Sequence, residues 1–113
     1  MVFAIVACTG LVAVGGAFAA AKTKVTIKAQ SDGFFGYVKS EKKTCEISRI
    51  VIVLKQKGGS PNPAHDKEIG TDVAQANGDK YMWSTGNTGS TKGKFYAYAP
   101  KITGCKAGIS KTI

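Results

Sequence analysis

The sequence predicts an all-β fold, a sandwich of about seven antiparallel strands, preceded by an apolar N-terminal segment. Short stretches alternate between apolar and polar residues, as half-buried strands do. Turn-forming residues separate these stretches at regular intervals. No stretch sustains the apolar spacing of an amphipathic helix. Because an amphipathic sheet must bury its apolar face, two sheets packed together are the economical arrangement.

The strands follow one another with turn signals between them. Ser31-Asp32-Gly33 predicts a turn after the first strand, and Asn77-Gly78 predicts a tight hairpin in which both of these residues have a positive φ. The stretch Gln56–Asp66, rich in Gly and Pro, predicts a long loop. The predicted strands cover residues 23–29, 34–39, 47–54, 69–73, 81–83, 94–99 and 109–113.

Residues 1–21 are predicted to be a signal peptide, followed by a single domain over residues 22–113. The segment carries no charge and ends in small-x-small patterns, which predict cleavage before Ala20 or before Lys22. The alternatives are a retained membrane helix and, if Met1 is not the true start, a lipid anchor on Cys8. The sequence therefore predicts export, with a cell-surface location if the segment is not cleaved.

The predicted cleavage determines which cysteines remain in the mature chain. Cleavage removes Cys8 and leaves only Cys45 and Cys105 in the mature chain. Two cysteines in an exported domain are expected to form a disulfide. The alternative is a pair of free thiols in a cytosolic protein. We therefore expect one disulfide between Cys45 and Cys105.

Short motifs over most of residues 22–113 form a recognisable series: Gly36-Tyr37-Val38, Cys45, Arg49–Lys55, Asp66–Asp72, Asn77–Tyr81, Tyr96–Ala99 and Cys105. This series resembles the carboxypeptidase-regulatory-like, or transthyretin-like (prealbumin-like), β-sandwich family, and in particular its small secreted bacterial members. The resemblance implies an immunoglobulin-like or prealbumin-like sandwich with no active site of its own. The usual proline after the first hairpin is absent from this chain.

The sequence offers little for catalysis. His65 is the only histidine, and with Asp66 and Glu68 it forms the one cluster that suggests a metal site. A catalytic zinc site usually has three protein ligands, so we predict a solvated loop and no metal or cofactor. No nucleophile motif or triad is recognisable. We predict that the protein is not an enzyme.

The net charge of +9 is the most distinctive global property, and Arg49 is the only arginine among 16 basic residues. Sequence-specific nucleic-acid readers use arginine forks on base edges, so this class is not expected. Lysines spread along the chain indicate a solvated surface with weak, non-specific attraction to polyanions. Membrane contact is expected only if the N-terminal segment is retained.

Two candidate binding surfaces follow from the way side chains alternate between the two faces of each predicted strand. Tyr81 and Trp83 on one strand, and Tyr96 and Tyr98 on another, form a candidate ligand surface if the strands are neighbours. The alternative is that these aromatic residues only stabilise the sheet.

The second surface lies on the strand Arg49–Lys55, which is apolar at every interior position. The family resemblance implies that Val51 and Val53 face inward, which leaves Ile50, Ile52 and Leu54 as a candidate contact patch. The alternatives are that the Gln56–Asp66 loop covers this patch, or that the register is inverted.

Together these features predict an exported, non-catalytic module for extracellular binding or scaffolding, with a protein or glycan partner. The alternatives are a secreted cationic effector or inhibitor, and a surface-filament subunit that retains its apolar N-terminus.

Overall fold

A computed structural model describes residues 19–113, which contain nine β-strands and one short 3₁₀ helix but no α-helix. The predictions for the signal segment up to residue 18, including a lipid anchor on Cys8, lie outside these residues. The 3₁₀ helix spans Lys43–Cys45. The strands are β1 (Lys24–Val25), β2 (Lys28–Gln30), β3 (Gly33–Lys39), β4 (Ile50–Lys55), β5 (Lys67–Val73), β6 (Gln75–Asn77), β7 (Lys80–Ser84), β8 (Phe95–Ala99) and β9 (Gly108–Ile109).

The strands form two antiparallel sheets, as predicted. One is a four-stranded sheet in the order β9-β8-β4-β5. The other is a five-stranded sheet in the order β1-β3-β7-β6, in which β2 also pairs with β3. Within residues 19–113, no helix is long and apolar enough to span a membrane.

The core lies between the two sheets. Phe34 of the five-stranded sheet packs against Phe95 of the four-stranded sheet, with ring centroids 4.8 Å apart. Val51 and Val53 are fully buried, which confirms that they face inward. The remaining buried apolar side chains of the core are Val25, Ile27, Val38, Ala74, Trp83, Ala97 and Ala99.

Two chain irregularities explain why nine strands are present where about seven were expected. The first strand is interrupted at Thr26 and Ile27, which separates β1 from β2. At Ala74 the chain leaves the four-stranded sheet, where β5 pairs with β4, and enters the five-stranded sheet, where β6 pairs with β7. The backbone N–H of Ala74 donates to the Arg49 carbonyl at 2.8 Å, which holds this crossing in place.

The hairpin at Asn77-Gly78 forms, but its turn lies one residue further along the chain than predicted. Asn77 pairs with Lys80, so the central residues are Gly78 and Asp79. Of these two, only Gly78 has a positive φ, of 66°. This is the pattern of a type II′ turn, which needs glycine at the first central position only.

Gly36 lies in the middle of β3 where two other groups approach its backbone. It pairs with Trp83, and a side chain at this position would overlap the carbonyl of Thr26 in the interrupted first strand. The same added carbon would lie 3.0 Å from the Trp83 ring. A glycine inside a strand often marks such a close approach.

We expect Gly36→Ala to destabilise the fold by about 1–3 kcal/mol, because the overlapping group is backbone and cannot rotate away. Chemical denaturation monitored by Trp83 fluorescence would measure the change. Gly59→Ala is the matched control, since Gly59 is exposed and has nothing within 4 Å of an added carbon. Equal stability of both variants would contradict the close approach at Gly36.

Cys45 and Cys105 form the predicted disulfide, with a sequence separation of 60 residues. Cys45 lies in the connection that leads from β3 in one sheet to β4 in the other. Cys105 lies in the turn between β8 and β9. The bond therefore fixes the connection between the sheets to one end of the four-stranded sheet.

Candidate binding surfaces

The outer face of β4 contains the predicted contact patch only in part. Ile50 is 51% exposed and Ile52 is half-buried, but Leu54 is only 4% exposed. The prediction that all three lie on an open surface is therefore wrong for Leu54. The pairing of β4 with β5 shifts between Val53 and Leu54 through a β-bulge, beyond which the long loop begins.

Residues of neighbouring strands extend the remaining part of the patch. Ile52 pairs with Tyr98, and Tyr98 pairs with Ile109, so one row crosses three strands on the same face. Ile50 pairs with Val73 beside this row. Val73 and Ile109 are 40% and 47% exposed. We refer to Ile50, Ile52, Val73, Tyr98 and Ile109 as the apolar face.

The end of this sheet beyond the apolar face is covered by the Gln56–Asp66 loop. Tyr96 faces outward next to Leu54, and its hydroxyl donates to the Asp66 carboxylate at 2.6 Å. The same carboxylate accepts the backbone N–H groups of Asn62 at 2.7 Å and Lys57 at 3.0 Å. Asp66 thus closes the loop on itself and attaches it to Tyr96. The alternative that the loop covers the patch is correct at this end.

The hydrogen bonds of Asp66 change the acidity of both partners. The Tyr96 hydroxyl, followed by the two backbone N–H groups, stabilises the carboxylate and lowers the pKa of Asp66 from its ordinary value. Burial, and then the hydrogen bond to Asp66, raises the pKa of Tyr96. Since the folded pKa of Asp66 is depressed, its stabilising effect is present above about pH 3.9 and is lost as the pH falls through the folded value.

We expect Tyr96→Phe to raise the pKa of Asp66 towards its ordinary value of about 3.9, because the variant removes the donor that most stabilises the carboxylate. An NMR titration of the Asp66 carboxyl carbon in both proteins measures the change directly. Tyr98→Phe is the matched control, since it removes a hydroxyl from the same face of β8 at a position that does not hydrogen-bond Asp66. Identical titration curves for wild type and Tyr96→Phe would contradict the assignment.

The four aromatic residues proposed as a ligand surface do not share a surface. Tyr81 and Trp83 lie on β7 of the five-stranded sheet and face inward, where Trp83 is fully buried and Tyr81 packs against the core. Tyr96 and Tyr98 lie on β8 of the other sheet and face outward. Tyr96 is itself buried under the loop. The two strands are therefore not neighbours, and the prediction of a shared aromatic ligand surface is wrong.

A different set of aromatic residues lies on the outer face of the five-stranded sheet. Phe35 and Tyr37 alternate with the buried residues of β3 and are half-buried. The ammonium of Lys80 lies 5.1 Å from the centre of the Tyr37 ring. Met82 pairs with Tyr37 on the same face. The alternation in β3 predicts a half-buried strand, but it does not show that lysines of other strands surround Phe35 and Tyr37.

Lysines surround these rings. Lys28 pairs with Phe35, and Lys24 pairs with Lys39 at the other end of β3. All of these lysines and Lys80 are exposed. We refer to the set as the lysine–aromatic face: Lys24, Lys28, Phe35, Tyr37, Lys39 and Lys80.

A groove of about 770 Å³ runs along the edge where the two sheets meet. Ile27, Ile109 and Ile113 contribute apolar side chains to its lining, and Lys24 and Lys28 border it. Ile109 also belongs to the apolar face. The apolar surface of the four-stranded sheet thus continues around its β9 edge into this groove.

Arg49 is a buried polar residue that sequence analysis assigned no role beyond its place in a family motif. Its side chain is 1% exposed. One guanidinium nitrogen donates to the Thr23 hydroxyl and the Cys45 carbonyl, both at 2.9 Å. The other donates to the carbonyls of Pro100 at 3.0 Å and Lys106 at 2.8 Å. Burial lowers the pKa of Arg49. The arginine joins four chain segments near the disulfide, so its role is structural.

The cluster suggested by His65, Asp66 and Glu68 does not converge. His65 and Glu68 are exposed, whereas Asp66 is occupied by the loop and by Tyr96. In the described part of the chain, no group of three or more His, Cys, Asp or Glu side chains is arranged to hold a metal ion.

Comparison with known proteins gives no relative: no protein-family model, curated protein or solved structure matches the chain.

Proposed function

We propose that the protein is an exported, non-catalytic β-sandwich module that serves extracellular binding or scaffolding through its apolar face. The observation that carries this proposal is the row Ile52, Tyr98 and Ile109, which crosses three strands on the outside of the sheet. The pair Ile50 and Val73 extends this row. Ile52 and Tyr98 are half-buried and the other three side chains are exposed. Contiguous apolar side chains at the surface mark contact sites more often than scattered ones do.

The partner that fits this face is a protein. Four of the five side chains of the apolar face are aliphatic and offer no hydrogen bonds to a sugar. Burial against another apolar surface contributes about 1.5–3 kcal/mol for each fully buried side chain. The simplest protein partner is a second copy of this chain, in which the same face meets itself about a two-fold axis. Such an assembly would make the module a scaffold element.

The strand order supports an immunoglobulin-like sandwich within this proposal. If the interrupted first strand is lettered A, then β3, β4, β6, β7, β8 and β9 become B to G. The sheets then have the orders A-B-E-D and G-F-C, with β5 added beside C. These are the orders of a constant-type immunoglobulin sandwich. Membership of the prealbumin-like group remains a proposal that rests on the sequence motifs alone.

Export is supported by the disulfide, since disulfides persist in oxidising compartments. The structure also favours one of the two predicted cleavage positions. The Ala21 N–H donates to the Gly104 carbonyl at 3.0 Å, and its carbonyl accepts the Lys106 N–H at 2.8 Å. Cleavage before Ala20 keeps both hydrogen bonds, whereas cleavage before Lys22 removes them. The intact mass of the secreted protein tests this: a chain starting at Ala20 with one disulfide supports export, and a retained N-terminus supports a filament subunit.

Sedimentation equilibrium tests the contact surface. We expect the mature protein to self-associate with rising concentration and Ile52→Lys to remain a folded monomer. Ala76→Lys is the matched control, since it adds the same charge at an exposed position of β6, an edge strand of the other sheet. A wild-type protein that stays monomeric over the whole concentration range would overturn self-association through this face. Equal association of wild type and Ile52→Lys would place the contact elsewhere.

A further inference from the structure

We propose that the lysine–aromatic face binds single-stranded nucleic acid without sequence preference. This face belongs to the five-stranded sheet, on the opposite side of the sandwich from the apolar face. The two surfaces share no residue and adjoin only at the groove lined by Lys24, Lys28 and Ile109, so the proposal does not rest on the scaffolding contact.

The charge of this face is not explained by the fold. Lys24 and Lys39 are direct partners across β1 and β3, and both are exposed. Like charges opposite each other destabilise a sheet. Lys80 adds a third positive charge near Tyr37. None of the five strands of this sheet contains Asp or Glu, so no carboxylate on them offsets the repulsion. A bound polyanion would offset it.

Phe35 and Tyr37 provide the second element of the site. They lie two residues apart on the central strand β3 and face the same side, about 7 Å apart along the strand. Flat rings on an open sheet allow unpaired bases to stack on them. Lys80, which contacts the Tyr37 ring in the free protein, is exposed and can exchange this contact for a phosphate.

The presence of both lysines and exposed aromatic rings indicates which class of polyanion fits this face. An acidic polysaccharide would use the lysines but has no aromatic groups to stack on Phe35 and Tyr37. Duplex DNA would also use the lysines but keeps its bases stacked on each other. Single strands use both elements. The face has lysines but no arginine, which supplies the bidentate base contacts of sequence readers, so binding is expected to be tolerant of sequence.

Fluorescence anisotropy with labelled oligothymidylate and oligouridylate of equal length tests the proposal and compares DNA with RNA. We expect both to bind the folded mature protein, with an affinity that falls steeply as salt rises. Phe35→Ala is expected to weaken binding by roughly ten-fold, as loss of one stacked base does. Lys39→Glu should also weaken it, whereas Lys92→Glu, in an exposed loop, makes the same charge change off the face and is the matched control.

Three outcomes would overturn the proposal. Undetectable binding of both oligonucleotides at low salt would remove it outright. If Phe35→Ala binds oligothymidylate as wild type does while heparin and duplex DNA compete equally well, the face is a simple polyanion surface. If Lys92→Glu weakens binding as much as Lys39→Glu does, only the net charge matters. NMR shift mapping on the wild type needs no variant, and we expect the affected amides to cluster in β1, β2, β3 and β7.

Discussion

Replacing Arg49 by alanine is expected to lower the free energy of unfolding by at least about 3 kcal/mol. The change leaves the carbonyls of Cys45, Pro100 and Lys106 without their donor. Each buried carbonyl that loses its hydrogen bond costs about 1–3 kcal/mol. Urea denaturation at neutral pH, with the disulfide intact, would measure the difference.

Arg49→Lys separates the positive charge from the geometry of the guanidinium. Lysine keeps the charge but has a single nitrogen, which cannot span the four acceptors that the planar fork of arginine reaches. We therefore expect this variant to recover only part of the lost stability. Full recovery would show that charge alone matters. An Arg49→Ala variant as stable as wild type would contradict the structural role.

The second large effect is expected on removing the disulfide. The double variant Cys45→Ala, Cys105→Ala should lose about 4 kcal/mol, because the closed loop of 60 residues no longer restricts the unfolded chain. Denaturation of the oxidised and reduced wild type should reproduce the difference. Equal midpoints for the oxidised protein and the double variant would contradict it.

These two effects are expected to be coupled. Arg49 donates to the carbonyl of Cys45, so the arginine and the disulfide hold the same chain segment. Neighbouring groups with shared partners usually give non-additive changes in stability. A double-mutant cycle that combines Arg49→Ala with the cysteine variant would measure the coupling.

Alternation of residues was enough to predict much of the fold. In β4, where every interior position is apolar, the family resemblance and not the alternation implied that Val51 and Val53 face inward, which the structure confirms. The assignment failed in β7, because Tyr81 and Trp83 on one side and Met82 on the other are all large enough to face a core. Only Gly36, which leaves space opposite Trp83, indicates the correct side.

Three other features have no local signal. Apolar and polar residues alternate both before and after Ala74. The sequence therefore does not show that the chain passes from one sheet to the other at this residue. The bulge at Leu54 depends on how β5 pairs with β4. The burial of Arg49 depends on carbonyls supplied by Pro100 and Lys106, which lie 51 and 57 residues away along the chain.

The candidate surfaces were predictable to different degrees. Ile50 and Ile52 were found because a strand with apolar residues on both faces is unusual. Tyr98 and Ile109 join them through strand order, which a single sequence does not give. The lysine–aromatic face was missed because its lysines come from β1, β2, β3 and β7, and their proximity exists only in the assembled sheet.

The disulfide also sets how far the chain can be stretched. Strands β4 to β8 all lie between Cys45 and Cys105, so a force applied to the two ends passes through the bond and leaves these strands unloaded. Only β1 to β3 and β9 can be drawn out. The closed loop of 60 residues withholds roughly 200 Å of contour length. If such a module is held at a cell surface and pulled from outside, only the strands before Cys45 and after Cys105 can therefore unfold under the force. The segment between the two cysteines does not extend until the bond is reduced.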